Sequence, residues 1–203
     1  MRILFFFIFV SFFGNTFSQV GMFSIGARST TSLFNDGGTD NFGLGLGGQF
    51  RLQLAERINT DWFFDYLRSD IETIGNRTDH HIGWSVLFYP YLKKENDIVI
   101  STLFKPFILA GHCFDYTRLQ ENQNPSNFRE RWSSAVQAGL GTHVNLNQRL
   151  DLTIMTQYMM HLGNHIHAHV GGNALHLSDQ QGASLEGHFL ITLGLNLKIG
   201  ELW

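Results

Sequence analysis

Residues 185–199 read Leu-Glu-Gly-His-Phe-Leu-Ile-Thr-Leu-Gly-Leu-Asn-Leu-Lys-Ile. Leu185, Phe189, Ile191, Leu193, Leu195, Leu197 and Ile199 fall on one face of an extended chain, and Glu186, His188, Thr192, Asn196 and Lys198 on the other. A period of two marks a strand whose two faces meet different surroundings. The same period recurs upstream. Phe42, Leu44, Leu46, Phe50, Leu52 and Leu54 oppose Gly43, Gly45, Gly47, Gln49, Arg51 and Gln53. Trp62, Phe64 and Tyr66 oppose Asp61 and Asp65, and Ile82, Trp84, Val86 and Phe88 oppose His81, Gly83 and Ser85. Val136, Ala138, Leu140, Thr142 and Val144 oppose Gln137, Gly139, Gly141 and His143. Leu150, Leu152, Ile154, Thr156 and Tyr158 oppose Asp151, Thr153 and Gln157. Two weaker runs, Val20–Arg28 and Leu103–Tyr116, bring the count to eight, and the pattern does not distinguish the two faces of the second.

These runs are mostly about ten residues or more, the tilted length that crosses a bilayer, whereas soluble strands average about five or six. Aromatic residues stand near the run ends (Trp62, Tyr66, Trp84, Phe88, Tyr158), as in the interfacial girdles of membrane barrels. Glycine and polar groups fill the opposite face, where a soluble sandwich would place its core. The fold expected is an all-β, transmembrane, antiparallel eight-stranded up-and-down β-barrel, apolar towards lipid and polar towards the lumen. Closure satisfies every backbone group internally, as lipid requires. Residues 55–59 and 145–148 read as tight turns, and 29–41, 69–79, 117–130 and 162–182 as long loops. The segment 92–102 is long for a periplasmic turn. An even strand count puts both ends of the barrel on the periplasmic side.

Composition agrees. Of 203 residues, 43% are hydrophobic and 15% charged, which excludes a disordered chain. Fourteen basic residues against 17 acidic ones leave no positive excess for a nucleic acid. The single cysteine, Cys113, excludes an intramolecular disulfide framework. Residues 1–18 read as a signal peptide: Arg2 gives the basic start, Ile3–Phe13 the apolar stretch, and Thr16-Phe17-Ser18 the small-x-small cleavage site. No cysteine follows that site, so no lipid anchor is expected. The barrel domain is then 19–203.

The chain resembles the Gram-negative eight-stranded outer-membrane β-barrels. Leu193–Trp203, with Trp203 in phase with the apolar face, is similar to their C-terminal assembly signal. Lys105-Pro106-Phe107-Ile108-Leu109-Ala110-Gly111 resembles a proline-aromatic-glycine strand opening common among them. The Ser18-Gln19 junction is reminiscent of Bacteroidetes exports. No peptidoglycan-binding domain is expected after Trp203.

Eight strands enclose a lumen just wide enough for side chains to fill. Arg51 and Lys198 share it with Asp61, Asp65, Asp151 and Glu186, and charges so enclosed must pair, so internal salt bridges are expected to plug the barrel. Five histidines crowd the last long loop and its approach: His161, His165, His167, His169 and His176. In an extended segment His165, His167 and His169 share one face at a spacing of about 6.6 Å, and two neighbouring imidazoles with a third donor such as Asp179 suit zinc, copper or nickel. A polar histidine-rich surface loop is the plainer reading. His161-Leu162-Gly163-Asn164 resembles the His-x-Ser-Asn motif of outer-membrane lipid A deacylases. The resemblance implies His161 as base and Glu186 as its orienting carboxylate. It also puts the nucleophile at 163, which is glycine here, and Ser178 or Ser184 could substitute only by an unusual loop path.

The function expected is a non-enzymatic structural, docking or accessory subunit of the outer membrane. Its partners would be outer-membrane lipid, lipopolysaccharide and an outer-membrane protein complex, with no nucleic acid. No cofactor is expected beyond zinc or copper on the histidine loop. The alternatives are a lipid A deacylase-like hydrolase and a surface metal-binding barrel.

Overall fold

The computed structural model describes residues 21–34, 42–91, 103–172, 174–184 and 187–203. The signal-peptide reading, the 92–102 segment and Glu186 lie outside them. Nine strands are described: β1 (Met22–Phe34), β2 (Phe42–Ala55), β3 (Ile58–Ile71), β4 (Gly75–Phe88), β5 (Phe104–Glu121), β6 (Phe128–Asn145), β7 (Leu150–Gly171), β8 (Ala174–Ser184) and β9 (Gly187–Glu201). Each pairs antiparallel with its chain neighbour from β1 to β7; β7 then pairs with β9, and β9 with β1. The ladder therefore closes with eight strands. The closing seam runs from Met22 opposite Glu201 to Phe34 opposite His188, and the Leu202 amide donates to the Gly21 carbonyl at 2.9 Å.

Side-chain polarity is inside-out. Leu44, Leu46, Phe64, Ile82, Ile108, Leu140, Leu193 and Leu195 are all exposed on the outer wall, while Arg28, Asp65, Asp79, Asp115 and Asp151 are buried inside. On β9 the outer apolar row runs from Phe189 to Ile199. Ten residues at ~3.3 Å each, tilted by ~40°, cover about 25 Å, the height of a lipid-facing band. Aromatic side chains form cross-strand rows in this band. One joins Phe50, Trp62 and Trp84, with ring centroids 5.9 and 6.3 Å apart. A second, nearer the far end, joins Tyr66, His80, Tyr116 and Trp132 at 5.0–5.7 Å.

Two expectations need correction. The stretches 69–79, 117–130 and 162–182 are mostly strand: β3 and β4 are joined by residues 72–74 alone, and β5 and β6 by 122–127. Above the lipid the outer face of a strand meets polar surroundings, so the ladder continues after the outer apolar row has ended. The second correction is the ninth strand. Among the described residues β8 pairs with the outer part of β7 alone, forming a hairpin beyond the barrel. At the root of that hairpin the register shifts, and Gly163 has φ +150°, a conformation open to glycine.

That bulge turns the hairpin over the mouth of the barrel. Ile166 and Leu175 pack with Ile71 of β3 and Leu119 of β5, so the hairpin reaches the opposite wall. Glu121 accepts from the Leu175 amide at 3.3 Å, and Asn127 donates to Glu121 at 2.8 Å and to the Leu175 carbonyl at 2.9 Å. The hairpin is a roof.

Candidate functional site

The lumen is built in layers. Beneath the apolar roof lies a charged layer. Beneath that lies an apolar waist of Phe63, Leu67, Cys113, Ala135, Met159 and Leu190. Nearer the end that carries both termini, Leu87, Tyr89, Phe107, Leu109 and Met155 form a third apolar cluster. Here β5 turns Phe107, Leu109 and Cys113 inward and Phe104, Ile108 and Phe114 outward. Both faces of that strand are apolar, which is why alternation alone did not orient it.

The inner charged layer matches the sequence reading closely. Arg51 meets Asp151 at 3.3 Å and donates to Thr153 at 3.0 Å. Asn196 donates to Asp151 and Thr153, each at 3.0 Å. Asp61 stands opposite Arg51 in the register and is buried. Lys198, partly exposed, lies 3.9 Å from Asp151 and donates to Asn145 at 3.0 Å. Arg51, Asp151, Lys198 and Asn145 border a cavity of about 310 Å³ that Tyr89, Lys105 and His143 also line.

The outer charged layer is richer than the sequence reading foresaw. Asp65 is held by Arg28 at 3.0 Å, with Thr30 donating to its other oxygen at 3.3 Å. Arg77 grips both oxygens of Asp79, at 3.1 and 3.0 Å. Thr117 Oγ1 lies 2.7 Å from Asp79 and 3.0 Å from Asp115, its one proton serving one carboxylate at a time. Asp115 also lies 3.3 Å from His81 Nε2 and 3.3 Å from His161 Nδ1. The rings of His161 and His188 are 4.5 Å apart, and His188 Nε2 is 3.4 Å from Arg77. The missed members were legible in part: Arg77 and Asp79 share the parity of His81 on β4, and Asp115 that of Cys113 on β5.

His161 therefore faces the lumen. Its Nδ1 is 3.0 Å from Ser133 Oγ as well as 3.3 Å from Asp115 Oδ2. A relay needs the carboxylate on one ring nitrogen and the hydroxyl on the other; here both address the same nitrogen. On the outer wall His112 Nε2 is 2.6 Å from Ser134 Oγ. That pair lies four residues below Tyr116 on β5, about 10 Å deeper in the lipid band. At that depth the two side chains chiefly satisfy one another. On the hairpin, the His167 and His169 rings are stacked 6.3 Å apart, close to the expected spacing, and His176 stands opposite His169.

No protein-family model matches the chain, and no curated protein resembles it in sequence. Solved structures do resemble it. Neisserial surface protein A aligns at 12% identity over 87% of this chain and 97% of its own, with a TM-score of 0.56. The fold is that of the eight-stranded outer-membrane barrels. Ail of Yersinia pestis aligns at 12% identity over 89% of this chain and 100% of its own, TM-score 0.54, and has also been solved with the heparin analogue sucrose octasulfate. A major outer membrane protein of Thermus thermophilus aligns at 9% identity over 87% and 99%, TM-score 0.57. A closed barrel of this fold, apolar outside and charged inside, is built to span a membrane, and such barrels are outer-membrane proteins.

Proposed function

We propose that the mature protein, residues 19–203 after removal of the 1–18 signal peptide, is a non-enzymatic and non-conducting outer-membrane barrel. It anchors through its lipid band and presents the β7–β8 roof as a docking surface. The observation that carries this reading is the roof over a filled lumen. Three apolar clusters, the roof among them, and two layers of paired charge fill the barrel axis between the hairpin and the cavity at the end that carries both termini. Cross-linking in native outer membranes, followed by mass spectrometry, tests it. Partners should be captured by the intact chain and lost when residues 164–184 are replaced by a short turn. Channels in planar bilayers, or capture unchanged by that replacement, would contradict it. The structure of Ail with sucrose octasulfate makes a polyanion such as lipopolysaccharide the first soluble partner to try, because the β5–β6 hairpin carries Arg118, Arg129 and Arg131.

The hydrolase alternative, with His161 as base and Glu186 behind it, is weakened by the inward position of His161 and by Gly163. Lipid A from cells with and without the protein should give matching mass spectra. A metal on His165, His167 and His169 is a second reading, favoured by the stacked His167 and His169 rings. Protons compete with the metal for the imidazole nitrogen, so zinc or copper binding there would weaken in acid. A Bacteroidetes origin rests on the Ser18-Gln19 junction alone. The similar structures, from Neisseria, Yersinia and Thermus, add nothing to it.

A further inference from the structure

The outer charged layer contains a group that its internal hydrogen bonds do not complete. One ligand atom each of Asp79, His81 and Asp115 lie within 4.8 Å of one another, and all three residues are fully buried. They come from facing positions of one ladder: His81 stands opposite Asp115, and Asp79 opposite Thr117. His81 Nε2 and Asp115 Oδ1, which face one another at 3.3 Å, make no hydrogen bond among the described residues, nor does His161 Nε2, although all three side chains are almost fully buried. A buried polar atom left bare costs roughly 1–3 kcal/mol, and a buried carboxylate must be paired. A proton shared between His81 and Asp115 would answer for one contact and leave the second imidazole unanswered.

We infer that Asp79, His81 and Asp115, with His161 beside them, form a buried site for a divalent transition-metal ion. Zinc is the first choice, because imidazole nitrogen and carboxylate oxygen are its ordinary ligands. Zinc bonds of about 2.0–2.2 Å set donors about 3.4 Å apart in a tetrahedron. His81 and Asp115 already have that separation, at 3.3 Å. Asp79 has an oxygen within 4.8 Å of both, and turning it onto the ion would exchange one of its two contacts with Arg77. The surroundings resemble the outer shell of a metal site, where hydrogen bonds fix the carboxylates. Thr117 bridges Asp79 and Asp115, Ser133 donates to Asp115 at 3.4 Å, and Arg77 holds Asp79 from behind. The site is sealed between the roof and the waist. Its ion would be acquired during folding and would act structurally, tying β4 to β5 under the roof. It is distinct from the exposed histidines of the hairpin.

The test uses the whole mature barrel, refolded in detergent with zinc or with chelator and then desalted. About one zinc per chain should remain, and the temperature at which the compact gel band converts to the unfolded one should rise by several degrees. His81→Gln and Asp115→Asn should each lose the retained zinc and the rise. A variant with His165, His167, His169 and His176 changed to alanine should keep both. Zinc lost with the hairpin histidines, or zinc retained in a folded His81→Gln barrel, would overturn the inference. Should neither lumen variant fold, the unaltered barrel still decides: a conversion temperature identical with zinc and with chelator would overturn it.

Discussion

Gly47 stands opposite Asp65 in the β2–β3 register, and a methyl group on Gly47 would collide with the Asp65 carboxylate that holds Arg28. Gly47 is thus the room in which the Arg28–Asp65 pair is built.

Gly47→Val should crowd both the Phe64 carbonyl and the Asp65 carboxylate, pushing Asp65 off Arg28 and leaving a buried guanidinium without its counter-charge. Breaking a buried pair from one side costs about 3–5 kcal/mol. The gel conversion temperature and the denaturant midpoint should both fall. Gly200→Val is the comparison, since nothing lies within 4 Å of a Cβ there, and it should change neither by much.

The lipid band makes a depth-dependent prediction. Leu193 stands midway along the outer row of β9, and Ile199 at its end. Leu193→Arg should cost about 2–4 kcal/mol and Ile199→Arg about 0–1 kcal/mol, measured by unfolding from lipid bilayers. Equal costs at the two positions would mean that the band does not follow this row.

The roof hangs on Glu121. Glu121→Ala removes the acceptor for the Leu175 amide and the partner of Asn127. Cleavage by an added protease within residues 163–184 should speed up severalfold. Folding of the barrel itself, read by gel mobility, should stay as it was.

The seam predicts the role of the C-terminus. Removing Leu202 and Trp203 takes away the last backbone bond to Gly21 beyond the β1–β9 ladder, and the in-phase terminal aromatic with it. The truncated chain should reach the outer membrane at much reduced levels. Immunoblots of membrane fractions measure this directly.

Alternation at Leu193–Ile199 and Trp62–Tyr66 was enough to read barrel, polarity and lipid band, because lipid imposes a contrast that each strand must display. Inside the lumen the reading reached Arg51, Asp61, Asp65 and Asp151. It stopped short of Arg28, Arg77, Asp79 and Asp115. Arg28 stood at the end of a weak run, and Asp115 shares its face with the apolar Phe107, Leu109 and Cys113, so its inward direction was masked. The roof was illegible for another reason. Whether a polar, histidine-rich stretch lies back across a barrel mouth depends on Ile166 and Leu175 finding Ile71 and Leu119, far away in the sequence.

Gly163 supplies the bend on which that roof depends, and it stands where the resemblance of residues 161–164 to the lipid A deacylase motif implies a serine. A serine there would be forced into a backbone conformation that side chains rarely adopt. The two designs compete for one residue. A lineage built on this scaffold could acquire surface hydrolysis at that position only by surrendering its cover, and one that keeps the cover must find any chemistry elsewhere.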